Sequence, residues 1–144
     1  MDPVDRAILT LLKDNGRLTY SDLGRRVHLS VPAVAERVRR LESSGVIDSY
    51  TVRLNRNKLN CGLLSFVMVT IERAGQIDDF REKVVEFAEV LECHHIAGEY
   101  DYLLKVAVAD TAALERFLSV SLKKIEGVVK TNTLIVLSTL KEGS

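Results

Sequence analysis

The sequence is short of cysteine, of net charge and of long apolar runs, and each shortage excludes something. Cys61 and Cys93 are the only thiols in 144 residues. They are too few and too far apart for a disulfide framework and fit neutral thiols in a reducing cytosol. The formal net charge is zero, so bulk electrostatics alone do not demand a polyanionic partner. The longest apolar run, around Leu63 to Ile71, is too short to cross a bilayer as a helix. The first turn is acidic, with Asp2 and Asp5 where a secretory signal needs basic residues. There is no glycine-rich phosphate loop, and no thiol or hydroxyl has a base and an orienting acid at a spacing that would activate it. Cys93, His94 and His95 invite a metal. On a strand, however, only Cys93 and His95 would share a face, and zinc wants three or four ligands. The expectation is a soluble cytoplasmic protein that is not an enzyme, with no metal, cofactor or membrane partner.

What is present is hydrophobic residue, 47% of the chain, enough for packed cores. Charge is also unevenly placed. Residues 1–60 carry eleven Lys and Arg against seven Asp and Glu, whereas residues 61–144 carry nine against thirteen. Only the first half would be drawn to phosphate, which suggests two domains, 1–60 and 61–144.

The basic half is built around Leu18 to Ile47. A first helix over residues 1–14 has Asp2 as N-cap, Pro3 at its start and an apolar stripe of Val4, Ile8, Leu11 and Leu12. Two further helices, over about 21–27 and 31–43, flank the turn His28-Leu29-Ser30, the layout of a helix-turn-helix DNA reader. In the last of them Val34, Val38 and Leu41 share the inward face. At 100° per residue Pro32, Ala33, Glu36, Arg39 and Arg40 fall opposite, and Arg37 lies on the flank, fit either to touch DNA or to fasten the helix down. Ser30 caps this helix, and Arg25 and Arg26 point outward from the helix before it. Arginine can grip guanine or phosphate with two donors, and the small Ala33 and Pro32 let the helix approach base edges. Val46 to Leu54 alternates enough to predict a strand, and residues 55–62 read as a hinge.

The acidic half has a different rhythm. Strands are expected over Leu63 to Glu72, Val90 to Ile96, Tyr102 to Ala109 and Val128 to Leu140, with helices after the first and third. That order is βαββαβ, a ferredoxin-like unit. The first strand is apolar at both parities, so both faces of the sheet need cover. Helices supply one, and a second copy of the sheet would supply the other, giving a homodimer.

A helix-turn-helix followed by a strand, a hinge and a βαββαβ unit resembles the Lrp/AsnC, or feast/famine, family of transcription regulators. Four segments carry the resemblance: Asp2, Asp5, Ile8, Leu9 and Leu12; Leu29-Ser30 with Val34, Arg37, Val38, Leu41, Glu42, Gly45 and Ile47; the turn Gly98-x-Tyr100-Asp101-Tyr102; and Thr131, Thr133, Val136, Leu137 and Ser138. Cys61-Gly62 departs from the shorter Leu-Gly step of many members. The resemblance implies an α+β chain, a winged helix-turn-helix domain followed by a ferredoxin-like RAM domain, whose dimers often assemble into octamers. It also implies an amino-acid-like effector between subunits near Gly98, Glu99, Tyr100, Asp101 and Tyr102, with Thr133 and Ser138 as further candidates. By residue type, Gly98 can adopt special backbone shapes, Asp101 can accept from an amino group, and Glu99 with Asp101 suits a ligand bearing positive charge. An ordinary hairpin turn, with Asp101 only closing the loop, fits the same residues.

The function expected is a sequence-specific regulator binding double-stranded DNA in response to an amino acid. Two alternatives remain: an architectural protein that wraps DNA with little sequence preference, and an enzyme akin to sirohaem decarboxylases, which resemble the same family and use histidines such as His94 and His95.

Overall fold

Asp2 and Asp5 start the first helix together. The Asp2 carboxylate accepts the Asp5 N–H at 2.9 Å and the Asp5 carboxylate accepts the Asp2 N–H at 3.0 Å, a reciprocal cap ahead of α1 (Pro3–Asp14). Thr19 and Asp22 repeat the device at α2 (Tyr20–Val27). Ser30 caps α3 (Val31–Ser43), accepting from the Ala33 N–H, and Pro32 is its second residue. After α3 the chain turns at Gly45, whose φ of 72° suits glycine, and the Ile47 N–H returns to the Leu41 carbonyl at 3.0 Å. Ile8, Leu23, Val34, Val38 and Leu41 form the buried core of this unit, one contribution at least from each helix. The stripes read from sequence are the faces that pack.

This is the computed structural model of the chain, in which residues 1–142 are described. It divides into two compact units, one from Met1 to Arg53 and one from Leu54 onward. The boundary placed at 60/61 from composition therefore falls inside a folded piece. Arg56–Leu59 forms a 3-10 turn capped by Asn55, and Arg56 pairs with Glu142 at 3.0 Å, which ties residues 54–60 to the second unit.

Two further expectations are corrected. Val46 to Leu54 is not a strand: no ladder partner exists for it among the described residues, and Val46, Tyr50, Val52 and Leu54 stand exposed. Tyr50 is tied back, donating its hydroxyl to Glu42 at 2.8 Å; partial desolvation of the phenol, then that carboxylate, push its pKa up to about 12. The last strand is also shorter than expected.

The second unit runs β1 (Leu63–Ile71), α4 (Ile77–Val84), β2 (Val90–His95), β3 (Tyr102–Val108), α5 (Thr111–Arg116), a π turn and a 3-10 turn over residues 117–124, and β4 (Val128–Ile135). The strands make one antiparallel sheet in the order β2-β3-β1-β4. Val67, Val69 and Ile71 of β1 and Tyr102, Leu104, Val106 and Val108 of β3 face Phe80, Val84, Leu114, Phe117 and Leu122 in one core. The opposite parity gives the other face: Phe66 lies between Lys105 of β3 and Leu134 of β4, and Met68 between Leu103 and Asn132. No helix among the described residues covers Phe66, Met68, Leu103 and Leu134. The chain after β4 covers part of this face, with the Val136 N–H on the Leu64 carbonyl and Glu142 on Lys105 at 2.8 Å. Among the described residues no helix is long and apolar enough to cross a membrane.

Candidate nucleic-acid interface and effector turn

The reader depends on a close approach that the sequence pattern did not flag. A side chain at Gly24 would bring its Cβ within 2.6 Å of the Leu29 carbonyl oxygen, so only glycine lets α2 lie against the turn into α3. The turn itself is made at His28, in a left-handed conformation with φ of 56°, and the Leu29 N–H bonds back to the Gly24 carbonyl at 3.0 Å. Thus a buried glycine and a strained histidine fix the angle at which α3 is presented.

Across α3, Val34, Val38 and Leu41 point inward, while Pro32, Glu36, Arg39 and Arg40 are exposed and Ala33 is half-buried beside them. Arg39 and Glu36 pair at 2.6 Å on the open surface, each about 70% exposed, so either can exchange its partner for a base edge at little cost. Val31, also exposed, adds an apolar contact suited to a thymine methyl that the sequence reading passed over. On α2, Arg25 pairs with Asp22, and Arg26 is exposed with no ion-pair partner among the described residues. Ser30 is occupied as the cap.

Two of the candidate DNA contacts also have partners inside this unit. Of the two readings open for Arg37 the geometry favours the fastener: its guanidinium donates to Asp2 at 2.6 Å and to Asp5 at 2.7 Å, tying α3 to the start of α1. These bonds hold the Arg37 pKa above its usual value, while each aspartate's reciprocal backbone hydrogen bond, reinforced by Arg37, holds Asp2 and Asp5 below theirs. Arg40, read as looking outward, is 61% exposed and also bonds to Asp5, at 3.1 Å. A helical wheel fixes where a side chain leaves the helix, but six-atom arginine arms reach round to the neighbouring helix.

The candidate effector turn lies between β2 and β3, alongside β1. The Asp101 N–H bonds to the Val69 carbonyl and the Asp101 carboxylate accepts the Ile71 N–H at 2.8 Å. Asp101 therefore staples the turn to β1 through Oδ2, the loop-closing role that fitted the sequence beside a ligand contact. Glu99 is taken by Lys130 at 2.9 Å, and the Lys130 ammonium sits 4.9 Å from the Tyr100 ring centre. Tyr102 is buried in the core, its hydroxyl accepting from Arg81 at 2.7 Å and its ring packed on Phe80 and His95. Gly98 does not need its glycine for backbone shape, since its φ lies outside the left-handed region. A Cβ there would meet nothing within 4 Å, which leaves the space above the turn open to a ligand. Thr133 is half-buried on the core side of β4, opposite Val67. Ser138 is exposed and beyond β4, past the residue that bonds Leu64, so it lies toward the opposite end of β1 from the Val69 pairing, roughly 17 Å away along the strand. The β4 residue that meets the turn is Lys130; Thr133, opposite Val67, lies further along the sheet, and Ser138 further still.

The possible metal cluster is divided. His94 pairs with Glu92 on the open face, and His95 stacks on Tyr102 beneath Arg81. Burial pushes the Cys93 thiol up, the reverse of what a metal ligand or nucleophile needs. Among the described residues no three His, Cys, Asp or Glu side chains come together as a metal site.

Residues 64–144 match the family profile of the Lrp/AsnC ligand binding domain, and residues 1–48 match that of a winged helix-turn-helix DNA-binding domain. The chain belongs to the Lrp/AsnC family of transcriptional regulators. The leucine-responsive regulatory protein of Escherichia coli K12 is 38% identical over 146 positions, covering 100% of this chain and 89% of that protein. A transcriptional regulator of Neisseria meningitidis, solved in complex with L-methionine, superposes with a TM-score of 0.97 at 34% identity, over 100% of this chain and 94% of that one. The structure of Escherichia coli AsnC gives 0.92 at 25% identity, over 100% and 97%. This Lrp/AsnC member is thus a DNA-binding transcriptional regulator that responds to an amino acid, with an α+β fold of helix-turn-helix and four-stranded sheet. Its family accounts for the pairing of a reader with a ligand-binding domain.

Proposed function

We propose that the protein regulates as a cytoplasmic, non-enzymatic homodimer. Two α3 helices occupy successive half-sites in the major groove, and an amino acid at the Gly98–Asp101 turn changes the balance between assemblies or reader orientations. The observation that carries the DNA assignment is the division of α3, with Val34, Val38 and Leu41 inward and Pro32, Ala33, Glu36, Arg39 and Arg40 toward solvent. Arg26 and Arg25 contribute phosphate contacts from α2. The open sheet face of Phe66, Met68, Leu103 and Leu134 supports pairing with a second copy, because apolar side chains there have no intramolecular cover. Assembly of dimers into an octamer is carried over from the family.

For the effector, the open space above Gly98 beside the Lys130–Glu99 pair offers both signs of charge to an amino acid's two ends. L-Methionine, bound in the Neisseria meningitidis regulator, and leucine are the first probes to try. Thermal stabilisation by either, abolished by Gly98→Leu in a folded protein, would support the turn; stabilisation retained in that variant would remove it. Arg40→Ala should reduce discrimination between a selected and an unrelated duplex by about 1–3 kcal/mol. Equal affinity of the wild type for every fragment tried would replace sequence-specific regulation by architectural wrapping.

A further inference from the structure

We infer that Asp5, buried beneath the reader, is a positioning residue for sequence discrimination: it tethers Arg40 so that a single, oriented edge of the guanidinium faces DNA. The inference rests on the DNA-binding assignment of α3. Asp5 is 1% exposed, yet its carboxylate serves three partners on two helices. Oδ1 accepts from Arg37 at 2.7 Å and from the Arg40 Nη2 at 3.2 Å; Oδ2 accepts from the same Arg40 nitrogen at 3.1 Å and from the Asp2 N–H at 3.0 Å. Arg40 spends one nitrogen on this contact, and its Nη1 and Nε have no partner among the described residues. The side chain therefore runs from a carboxylate that is 2% exposed to a guanidinium that is largely solvated.

That geometry matters because reading a base and gripping a phosphate make different demands. A guanine accepts two coplanar N–H donors at fixed positions, so the arginine must be held in one plane. A phosphate accepts an arginine from many directions and carries no sequence information. An arginine with free rotamers loses conformational entropy in reaching a base edge, whereas one already tethered loses less. Arg39 is the contrast within the same helix, since its only partner is the exposed and movable Glu36. Asp5 thus separates two adjacent arginines into an oriented one and a free one, and Arg37, on the same carboxylate, keeps the tether itself from moving.

The test begins by selecting a duplex from a random-sequence library with the wild-type protein. Affinities for that duplex and an unrelated one of equal length are then measured across a salt series for wild type, Asp5→Asn, Arg40→Ala and the double variant. Asparagine retains the shape of Asp5 and an acceptor for the Asp2 N–H but removes the charge that holds Arg40. Asp5→Asn is expected to lower the selected-to-unrelated ratio by about five- to a hundredfold. Affinity for the unrelated duplex should hold or rise, with a salt slope steeper by about 0.9 as the freed Arg40 finds a phosphate. Arg40→Ala should then cost the ratio nothing further in the Asp5→Asn background. A purely structural role would weaken both duplexes in proportion and leave the slope unchanged, and that result, or an Arg40→Ala effect of the same size with and without Asp5, overturns the inference. Where Asp5→Asn alone does not fold, Asp5→Asn with Arg37→Gln neutralises the buried pair together and leaves Arg40 untethered, with the same expected signs. Should the wild type retain no duplex from the library, the DNA assignment fails and takes the inference with it; selection followed by an unchanged ratio defeats the inference alone.

Discussion

The reader unit and the sheet unit solve the burial problem in opposite ways. The reader closes a small core, Ile8, Leu23, Val34, Val38 and Leu41, on all sides, and completes it with a buried carboxylate shared by two arginines. The sheet unit gathers more than twice as many buried residues into the core under its helices, and leaves Phe66, Met68, Leu103 and Leu134 on its other face without a helix over them. A unit that must meet DNA alone finishes its own packing and uses ion pairs as fasteners. A unit built to associate keeps part of its core for another chain.

Deleting one core side chain in each unit breaks this comparison most sharply. Leu23→Ala and Phe80→Ala should cost about 2–5 and about 3–5 kcal/mol respectively. The first falls on a five-residue core and should unfold the reader while the sheet persists; the second should be partly absorbed by the larger core. Denaturant unfolding followed by residue-resolved NMR would show one unit melting before the other in Leu23→Ala. A single coincident transition would mean the units share more stability than their separate cores imply.

Gly24→Ala tests the reader's geometry with a smaller perturbation. The added Cβ meets a backbone oxygen, which cannot swing aside, so about 1–3 kcal/mol of overpacking is expected. DNA affinity should fall more than this stability loss explains, because the α2–α3 angle must open. Unchanged DNA affinity in a stable Gly24→Ala protein would show that the angle is set elsewhere.

Much of this architecture was legible in the residues. Caps at Asp2 and Ser30 and the stripes of Ile8 and Val34 are local signals, and local geometry honours them. What was not legible depended on partners distant in sequence. Val46 to Leu54 alternates like a strand, but a strand is made by a neighbour's hydrogen bonds, and this segment has none within the described chain. β4 stops at Ile135 because β1 runs out of regular partners, although β-rich residues continue to Leu140. Asp101 carries the residue type of a ligand acceptor, and only the register of β1 reveals that one of its oxygens takes the Ile71 N–H. A wheel puts Arg37 on the flank and Arg40 outside, but it does not show that both reach one carboxylate, Asp5, more than thirty residues earlier.

The open face can be tested by charge. Phe66→Lys places an ammonium at the centre of the unclothed surface, opposite Leu134 and next to Lys105. The folded chain should persist, as the site is only half-buried, and sedimentation should shift from dimer to monomer. DNA affinity should drop with it, since two readers then bind as separate molecules and lose their effective concentration. A dimer that survives Phe66→Lys would place the contact on another surface, such as the exposed Val46–Leu54 segment.

The smallest expected effect concerns the ion cluster on that face. Glu142 takes hydrogen bonds from Lys105 and Arg56, and these hold its carboxyl down from 4.5 to about 2. Lys105 is correspondingly raised, by Glu142 first and Glu92 second. A carboxyl depressed in the folded state contributes stability above its unfolded pKa and loses it as protons bind. The contribution should therefore be complete above about pH 4.5 and vanish as the pH falls toward 2. The reader's Asp2 and Asp5 are depressed too, so acid alone would weaken both units. The comparison that isolates Glu142 is wild type minus Glu142→Gln, followed through the melting temperature of the sheet unit. The gap should be widest at neutral pH and low salt and should close below about pH 2, when the wild-type carboxyl is also neutral. A gap that stays constant from neutral pH to pH 2 would mean that Glu142 holds the chain by packing and hydrogen bonding, not by charge.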